Sequence, residues 1–401
     1  MARLARTAGS GWLRPVLPLA VFVLLVSTIA WVRVPVLPEL GRDLALSPTE
    51  LGWVVAGFGL GRLAMDLPAG RLADRFDPLG LFALAALAMA AASGLLAGAG
   101  GLGAVVVAAF ALGVGSSVGN TTGMTAMSGA APAERRGSAM ALYSGSLLVG
   151  QALGPVLGGL AASAGGWRTA AAAGAGLGLV VTLGAARARR GGAGRRMRSV
   201  RRARPAPSGP PLSTRQHLVM YAVAFSVFLT VGAMPQTLIP VLGADDLRLG
   251  SGAIGLALGL GGLARMVGAT VTGAVSDRIS RRAALLPCLG LQAAGVALLL
   301  VGDEAVWWLL AIVAMSLGSS GHAVGATMLG DRSRPEVLGR ALGRYRFAGD
   351  IGLVSGPVLA AAIYDVAGRD AAVLVVCAVL LVVLLAALSL PETGAAGRAD
   401  P

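Results

Sequence analysis

The chain has too few charged residues to form the surface of a soluble protein. Only 13% of its 401 residues are charged, 56% are hydrophobic and the mean hydropathy is +0.77, whereas soluble globular domains carry about 25% charged residues. This shortage excludes an ordinary soluble domain. Runs such as AAVLVVCAVLLVVLLAALSL are long enough to cross about 30 Å of hydrocarbon as helices, so we predict a membrane protein.

Reactive and metal-binding side chains are equally scarce. The two cysteines, Cys288 and Cys377, lie in apolar runs without metal-ligand spacing, which predicts two buried thiols and neither a disulfide nor a metal site. There are only two histidines, and no nucleophile, base and oxyanion donors stand at motif spacing, so we expect no enzyme. No G-x-x-x-x-G-K-[ST] pattern is present, which argues against direct drive by ATP. We therefore expect no cofactor.

Twelve apolar stretches are long enough to be membrane spans. The first follows Arg3, Arg6 and Arg14 and so resembles a secretory signal, but it lacks a cleavage site and we expect an uncleaved span. Numbered 1 to 12 along the chain, the spans are predicted near 16–38, 51–70, 79–98, 103–127, 138–163, 168–186, 217–241, 252–273, 283–301, 306–329, 338–364 and 371–390.

Lysine is absent, so all 33 basic residues are arginines, and their distribution predicts the topology. An even number of spans puts both termini on one side. If that side is the cytoplasm, the inner segments hold 24 arginines and the outer loops hold four, namely Arg42, Arg168, Arg248 and Arg369. This bias predicts cytoplasmic termini in the cell membrane. The net charge of +14 is then a topology signal, and no nucleic-acid partner is expected.

A segment rich in arginine, glycine and proline separates the two sets of six spans. Its composition cannot build a core, so we predict a cytoplasmic linker over 187–216, between a first bundle over 1–186 and a second over 217–401. Two interpretations of this segment are open. It is either a solvated charged segment that fixes the topology, or a segment that also binds anionic lipid head groups.

The two sets of six spans are copies of one another. Shifting the sequence by 203 or 202 residues superposes small, charged and aromatic residues without a gap, which predicts an internal duplication in one orientation. The 203-residue pairs include Gly59 with Gly262, Arg62 with Arg265, Gly70 with Gly273, Asp74 with Asp277 and Arg75 with Arg278; the 202-residue pairs include Tyr143 with Tyr345 and Pro155 with Pro357.

Twelve spans as six plus six, a basic central loop and a repeated G-x-x-x-D-R pattern together resemble the major facilitator superfamily of secondary transporters. The resemblance covers nearly the whole chain. It implies an all-α membrane protein of two pseudo-symmetric six-helix bundles, which alternates access to a small-molecule substrate and works as a monomer in the bilayer.

The G-x-x-x-D-R pattern lies between spans 2 and 3 and again between spans 8 and 9. Its glycine permits close packing of the loop, its aspartate can face a helix N-terminus, and its arginine stays at the surface. The resemblance implies a cytoplasmic gate that joins and releases the halves, while a tight turn with topology-fixing charge is the alternative. The first copy departs from the family pattern by reading FDPLG after its arginine. The residues are Gly70, Asp74, Arg75, Gly273, Asp277 and Arg278.

Span 5 contains GQALGPVLGG over residues 150–159, which matches the G-x-x-x-G-P-x-x-G-G pattern of antiporters. Glycines four residues apart share one helix face and permit close backbone approach, and the proline loosens the helix. The resemblance favours an exporter, and ordinary small-residue packing is the alternative interpretation. The pattern residues are Gly150, Gly154, Pro155, Gly158 and Gly159.

Ionisable residues inside the spans are functional candidates, because they are costly in hydrocarbon unless they are paired or wet. At about 1.5 Å per residue, Arg62 and Asp350 lie at one depth and Asp66 and Arg346 at another. The resemblance places spans 2 and 11 face to face, so we predict that Arg62 approaches Asp350 and Asp66 approaches Arg346. Pairs four residues apart on one helix are the alternative.

A carboxylate that alternates between an arginine and a wet cavity changes its affinity for protons. We therefore predict that Arg62, Asp66, Arg265, Arg346 and Asp350 couple proton movement to motion of the halves. A purely structural salt bridge between the halves is the competing interpretation.

The resemblance also implies that spans 1, 4, 7 and 10 line the substrate cavity. Their polar residues Arg33, Asn120, Gln236 and His322 are therefore the predicted substrate contacts. Arg33 would attract an anionic group or extend toward the outer interface, and His322 would carry protons or form a packing hydrogen bond. Aromatic residues make up only 4% of the chain, which favours a small polar site over an aromatic cage.

We thus predict a secondary transporter that exports a small organic molecule in exchange for protons. Two alternatives remain open at this stage: proton-coupled uptake of a metabolite, and a sensor or scaffold that kept the fold without transport. The irregular first G-x-x-x-D-R copy favours the scaffold, as does Ala109, which stands where proton-coupled drug exporters usually have an arginine.

Overall fold

The computed structural model describes residues 12–132, 135–190, 212–333 and 335–392, and in these ranges every regular element is a helix. The first half contains six spans. Span 1 is Leu13–Trp31 with a short helix Leu37–Asp43, span 2 is Pro48–Arg75, span 3 is Pro78–Ala97, span 4 is Leu102–Ala130, and spans 5 and 6 form the bent helix Arg136–Arg190.

The second half has the same order of elements. Span 7 is Thr214–Ala233, a π-helical turn Met234–Leu238 and Ile239–Asp245, span 8 is Ser251–Arg278, and span 9 is Arg281–Ala297 with a 3₁₀ turn Leu298–Leu300. Span 10 is Ala305–Gly318 followed by Gly321–Arg332, and spans 11 and 12 form the bent helix Pro335–Ala387. Most of the predicted linker lies outside the described residues.

The predicted count of twelve spans is confirmed. By length and hydropathy, eight helices of the described chain could cross a membrane, and two of them, Arg136–Arg190 and Arg340–Ala387, are bent helices that provide two spans each. Span 1 is an apolar helix of shorter length, and span 2 carries more charge. Together these helices make a multi-pass membrane protein.

Glycines with positive φ make the two bends possible. Gly166 has φ 79° and ψ 178°, and Gly368 has φ 83° and ψ −179°. This backbone conformation, with φ near +80°, strongly favours glycine because a Cβ would clash with the backbone. Each glycine reverses the chain within what would otherwise be one long helix, and so forms a tight hairpin of two spans.

The duplication is visible in matching contacts of the two halves. Tyr143 donates a hydrogen bond to the carbonyl of Asn120 at 3.3 Å, and Tyr345 donates one to the carbonyl of His322 at 2.7 Å. Both pairs are related by the 202-residue shift. The same tyrosines lie against Gly123 and Gly325, which are also equivalent. The internal repeat of the sequence therefore corresponds to the same hydrogen bonds and glycine contacts in both halves of the structure.

Each half has its own apolar core. One buried cluster runs from Val16 to Ala185 and takes a single residue, Val241, from the second half. Two further clusters fill the second half, and Val34 is the only residue of the first half in them. Both cysteines are free and buried, as the sequence predicts. The halves are therefore two bundles that meet at a seam.

We expect Gly113→Ala to lower thermal stability by forcing spans 2 and 4 apart. A Cβ at Gly113 would lie 3.0 Å from the backbone nitrogen of Arg62 and closer still to the carbonyl oxygen of Phe58. Overpacking of this kind costs about 1–3 kcal/mol, which thermal unfolding in detergent would measure. The control is Gly94→Ala, because no atom lies within 4 Å of that position. Equal melting temperatures for the two variants would contradict the expectation.

Candidate functional site

Spans 2 and 11 bring four charged side chains together at the seam. Arg62 Nη2 lies 3.9 Å from Asp350 Oδ1, and Arg346 Nη2 lies 3.8 Å from Asp66 Oδ2. The Asp350 side chain is only 7% exposed, whereas that of Arg346 is 50% exposed. Pairing across the seam, as predicted from helix depth, is present in the structure.

Ser117 on span 4 also contacts this four-charge cluster, because its hydroxyl donates a hydrogen bond of 2.6 Å to Asp66 Oδ1. Asp66 Oδ2 is buried and has no hydrogen-bond partner among the described residues. The cluster therefore places two mostly buried carboxyl groups, one from each half, beside two arginines.

Arg265 lies apart from this four-charge cluster, although the sequence analysis listed it with the same proton-coupling residues. Its Nε donates to Ser319 Oγ at 2.7 Å and its Nη1 donates to Gln151 Oε1 at 3.1 Å. No aspartate or glutamate among the described residues forms an ion pair with it. Arg265 is therefore a cation at membrane depth with neutral partners only.

A small pocket with a free volume of about 40 Å³ adjoins Arg265. Spans 1, 5, 7, 8, 9 and 10 contribute to it, so both halves form its walls. Its polar lining consists of Gln151, Thr230, Arg265, Gln292, Ser316 and Ser319, and its apolar lining includes Trp31, Val231, Leu258, Ile312 and Met315. Such a cleft, mostly apolar with a few polar groups, is typical of small-molecule sites.

Arg33 and Gln236 meet at equivalent positions of spans 1 and 7. Arg33 Nη2 donates to Gln236 Oε1 at 3.3 Å, and its guanidinium carbon lies 4.4 Å from the centre of the Phe58 ring. Arg33 is 7% exposed and its Nε has no hydrogen-bond partner among the described residues. The structure brings these two predicted residues together, but neither lines the pocket beside Arg265.

Asn120 and His322 occupy equivalent places on spans 4 and 10. Asn120 Nδ2 donates to Ser116 Oγ at 3.4 Å. His322 Nδ1 lies 2.9 Å from the carbonyl oxygen of Ser319, and its ring packs edge-on against Phe228 at 5.3 Å. Neither side chain lines the pocket beside Arg265.

Among the residues that the structure describes, no hydrogen bond or ion pair of the G-x-x-x-D-R residues joins the halves. Asp74, Arg75, Asp277 and Arg278 are exposed, and no atom lies within 4 Å of a Cβ built on Gly70 or Gly273. We call the end of the molecule that carries these residues the motif end, and the other end the opposite end.

At the motif end of the second half, Arg281 binds two carboxylates. Its Nη1 lies 2.6 Å from Asp277 Oδ1 and its Nε lies 3.1 Å from Asp331 Oδ2. The sequence reasoning missed Arg281 and Asp331, although DRISRR in the second copy contains the signal. This network ties span 10 to the start of span 9 within one half.

The glycines of the antiporter-like pattern in span 5 divide between two neighbours. Gly150, Gly154 and Gly158 face the backbone of span 1 within the first half. Gly159 faces the backbone of span 8 across the seam, and so does the carbonyl of Pro155, which meets Gly255. Only part of the pattern therefore lies where the halves meet.

The seam contains two equivalent contacts between glycine and proline. A Cβ on Gly52 would lie 2.7 Å from the carbonyl oxygen of Pro357, and one on Gly255 would clash with the carbonyl oxygen of Pro155. The internal duplication relates the two pairs. Spans 2 and 11, and spans 5 and 8, thus touch backbone to backbone near the opposite end.

Polar side chains close the opposite end. Glu39 accepts hydrogen bonds from the backbone of Trp167 at 3.2 Å and from Ser251 Oγ at 3.0 Å, and so links the halves. Thr49 donates to Asp365 Oδ2 at 2.8 Å, again across the seam. These contacts join the two halves at the opposite end.

A family comparison agrees with this architecture. The family model described as Major Facilitator Superfamily matches residues 19–268 and 217–400. The chain belongs to the major facilitator superfamily. This superfamily consists of secondary transporters that bind small molecules in the bilayer, so the coarse prediction of a transporter is supported and an enzyme is not.

Curated superfamily relatives match a part of the chain. The multidrug resistance protein Stp of Mycobacterium tuberculosis (strain CDC 1551 / Oshkosh) is 28% identical over 141 residues, which are 33% of this chain and 25% of Stp. The riboflavin transporter RibZ of Clostridioides difficile is 27% identical over 130 residues, 32% of this chain and 28% of RibZ. The matched segment thus spans about a quarter of these relatives.

Solved superfamily structures match nearly the whole fold. A bacterial homologue of the human lysosomal transporter Spinster, in an inward-facing and occupied conformation, has a TM-score of 0.74 at 15% identity, covering 93% of this chain and 94% of that chain. The nucleoside transporter NupG has a TM-score of 0.73 at 11% identity and covers 94% and 99%. At these identities the likeness concerns the fold alone.

Proposed function

We propose that this chain exports a small organic molecule across the cell membrane in exchange for protons. The observation that carries the proposal is the four-charge cluster, in which a carboxyl group of each half lies 3.8 or 3.9 Å from an arginine of the other half. The cluster exists only while spans 2 and 11 are in contact, so motion of the halves changes the surroundings of both carboxyl groups.

A carboxyl group changes its proton affinity when an arginine or a second carboxylate moves away from it. In the closed arrangement Asp66 faces Arg346 and Asp350 faces Arg62. Separation of the spans removes each carboxyl group from its partners in the other half. Uptake and release of a proton are thereby linked to the same motion that moves the substrate site.

Water can reach the cluster from the motif end. The side chain of Arg346 is half exposed, whereas contacts of Glu39 and Thr49 seal the opposite end. With both termini in the cytoplasm, as the arginine distribution predicts, the structure corresponds to an inward-facing state. In that state the cluster exchanges protons with the cytoplasm.

Export is the favoured direction for two reasons. The span 5 pattern GQALGPVLGG resembles that of antiporters, and part of it lies on the seam at Pro155 and Gly159. In addition, Stp is named a multidrug resistance protein. These observations support exchange of the solute against protons.

The test uses purified protein in proteoliposomes with an internal pH-sensitive dye. A panel of antibiotics and metabolites is first screened by thermal shift, and the solutes that stabilise the protein are then offered under an imposed pH gradient. We expect solute and protons to move in opposite directions. Movement in the same direction would indicate uptake, and binding without flux or pH change would indicate a sensor or scaffold.

A further inference from the structure

The two copies of the duplicated unit differ at the charged positions near their seam contacts. In the first copy Arg62 has a carboxylate on its own helix, Asp66, and another across the seam, Asp350. By the 203-residue shift the equivalent of Asp66 in the second half is Ala269, and by the 202-residue shift the equivalent of Asp350 in the first half is Leu148. Arg265, the equivalent of Arg62, therefore has a carboxylate at neither of these positions.

We infer that the pocket beside Arg265 binds an organic monoanion, a carboxylate or sulfonate with an apolar body, and that this anion supplies the missing partner of the guanidinium. The inference rests on the proposed transport function and names its substrate class. An arginine stays protonated in proteins, so Arg265 cannot carry the coupled proton. A charge at membrane depth without a partner is costly, and a bound anion would offset this cost.

The free edge of Arg265 suits a carboxylate. Its Nε is used by Ser319 and one Nη1 hydrogen by Gln151, while Nη2 makes no hydrogen bond with a described residue. The remaining hydrogens on Nη1 and Nη2 form the flat pair that binds two oxygens of one anion. Ser319 and Gln151 hold the guanidinium from two sides, so this edge is preoriented.

Gln292 adds a requirement for a hydrogen-bond donor on the ligand. Its side chain is 1% exposed and lines the same pocket as Arg265. Its Nε2 donates to the carbonyl of Val227 at 3.4 Å, but its Oε1 has no partner among the described residues. A buried acceptor without a partner is unfavourable, and a hydroxyl or amino group of the ligand would satisfy it.

The remaining walls fit an apolar body. Leu258, Ile312, Met315 and Val231 line the pocket, and Trp31 contributes to the wall from the first half. The free volume of the pocket is about 40 Å³, which is room for only a few waters, so an organic ligand would enter as the two halves move apart around it. Because Gln151 and Trp31 belong to the first half and Arg265 to the second, the ligand would bridge both halves.

The experiment compares three probes on the purified full-length protein by isothermal titration calorimetry. The probes are 4-hydroxyphenylacetate, its neutral amide and phenylacetate, so that charge and hydroxyl group are removed one at a time. Naphthalene-2-sulfonate and the cation tetraphenylphosphonium complete the set. The comparison of carboxylate with amide needs no variant and therefore does not depend on a variant's folding.

We expect 4-hydroxyphenylacetate to bind about thirty-fold more tightly than its amide, because a buried charge pair is lost in the amide. Arg265→Gln should remove this preference. Arg344→Gln, the same change at an exposed arginine, should keep it. Phenylacetate should bind about three- to ten-fold more weakly than 4-hydroxyphenylacetate, and Gln292→Leu should abolish that difference.

Three outcomes would overturn the inference. They are equal binding of carboxylate and amide, preferred binding of the cation, and no binding of either anion. The proposed function fails separately: a protein that binds anions through Arg265 but moves no protons in proteoliposomes would refute proton coupling and leave the anion site standing. Proton-coupled transport of neutral or cationic solutes only would refute the anion site and leave proton coupling standing.

Discussion

Asp350→Asn is expected to abolish accumulation of solute driven by a pH gradient, while exchange of solute for solute continues. One proton exchanged per solute supports about ten-fold accumulation per pH unit. Asparagine cannot bind or release that proton, yet it resembles the protonated carboxyl group in shape. The variant should therefore equilibrate the solute without concentrating it, as flux into proteoliposomes at several imposed gradients would show.

The matched control for this variant is Asp370→Asn on the same bent helix. Asp370 is exposed, pairs with its neighbour Arg369 and lies outside the four-charge cluster. It should keep the pH-driven accumulation. If Asp350→Asn also keeps it, the cluster is a structural salt bridge and proton coupling by Asp350 is refuted. Loss of exchange together with accumulation in Asp350→Asn would indicate damage to the fold instead.

Gly52→Val is expected to hold the opposite end open and to reduce transport about ten-fold or more. A Cβ at Gly52 would meet the carbonyl oxygen of Pro357 at 2.7 Å and the Cβ of Ala361 at 2.9 Å. An overpacking cost of about 1–3 kcal/mol falls only on the closed state and shifts the populations by roughly five- to 150-fold. Gly255→Val, at the equivalent contact with Pro155, should act alike.

Spin labels can measure this shift directly. Labels at Arg42→Cys and Val366→Cys, both at exposed positions of different halves, report the width of the opposite end. The two native cysteines are buried, so background labelling should be low. Gly52→Val should lengthen the main distance, and Gly145→Val, where no atom lies within 4 Å, should leave it unchanged. An unchanged distance in Gly52→Val would contradict the seam contact.

The number of spans, the duplication and the charge pairs of spans 2 and 11 were predictable from the sequence. The number of spans follows from the length of each apolar stretch, and the duplication follows from a constant shift in residue number. The charge pairs follow from the helical rise of about 1.5 Å per residue. Given the resemblance that places spans 2 and 11 face to face, the depths of Arg62 and Asp350 were enough to pair them. The hydrogen bond from Ser117 to Asp66 was not predicted, because depth alone fixes neither side-chain direction nor lateral distance.

The place of Arg265 and the closure by Glu39 were not predictable in the same way. The repeat suggested that Arg265 acts like Arg62, but its carboxylate partners are replaced by Ala269 and Leu148, and only the structure shows what replaces them. Glu39 stands in a short helix after the break in span 1. Its contacts with Trp167 and Ser251 depend on how three separate spans are arranged at one end.

The glycine contacts of the seam determine what opening the molecule would involve. Gly52, Gly159 and Gly255 touch main-chain atoms of the other half, so side chains do not interlock there as knobs and holes. Separation at these points needs no change of rotamers and leaves no vacated socket behind. Parting at these three points therefore breaks contacts between main chains only, whereas the side chains of Val354 and Val156, which lie against Gly59 and Gly259 along the same pairs of spans, must leave the other half.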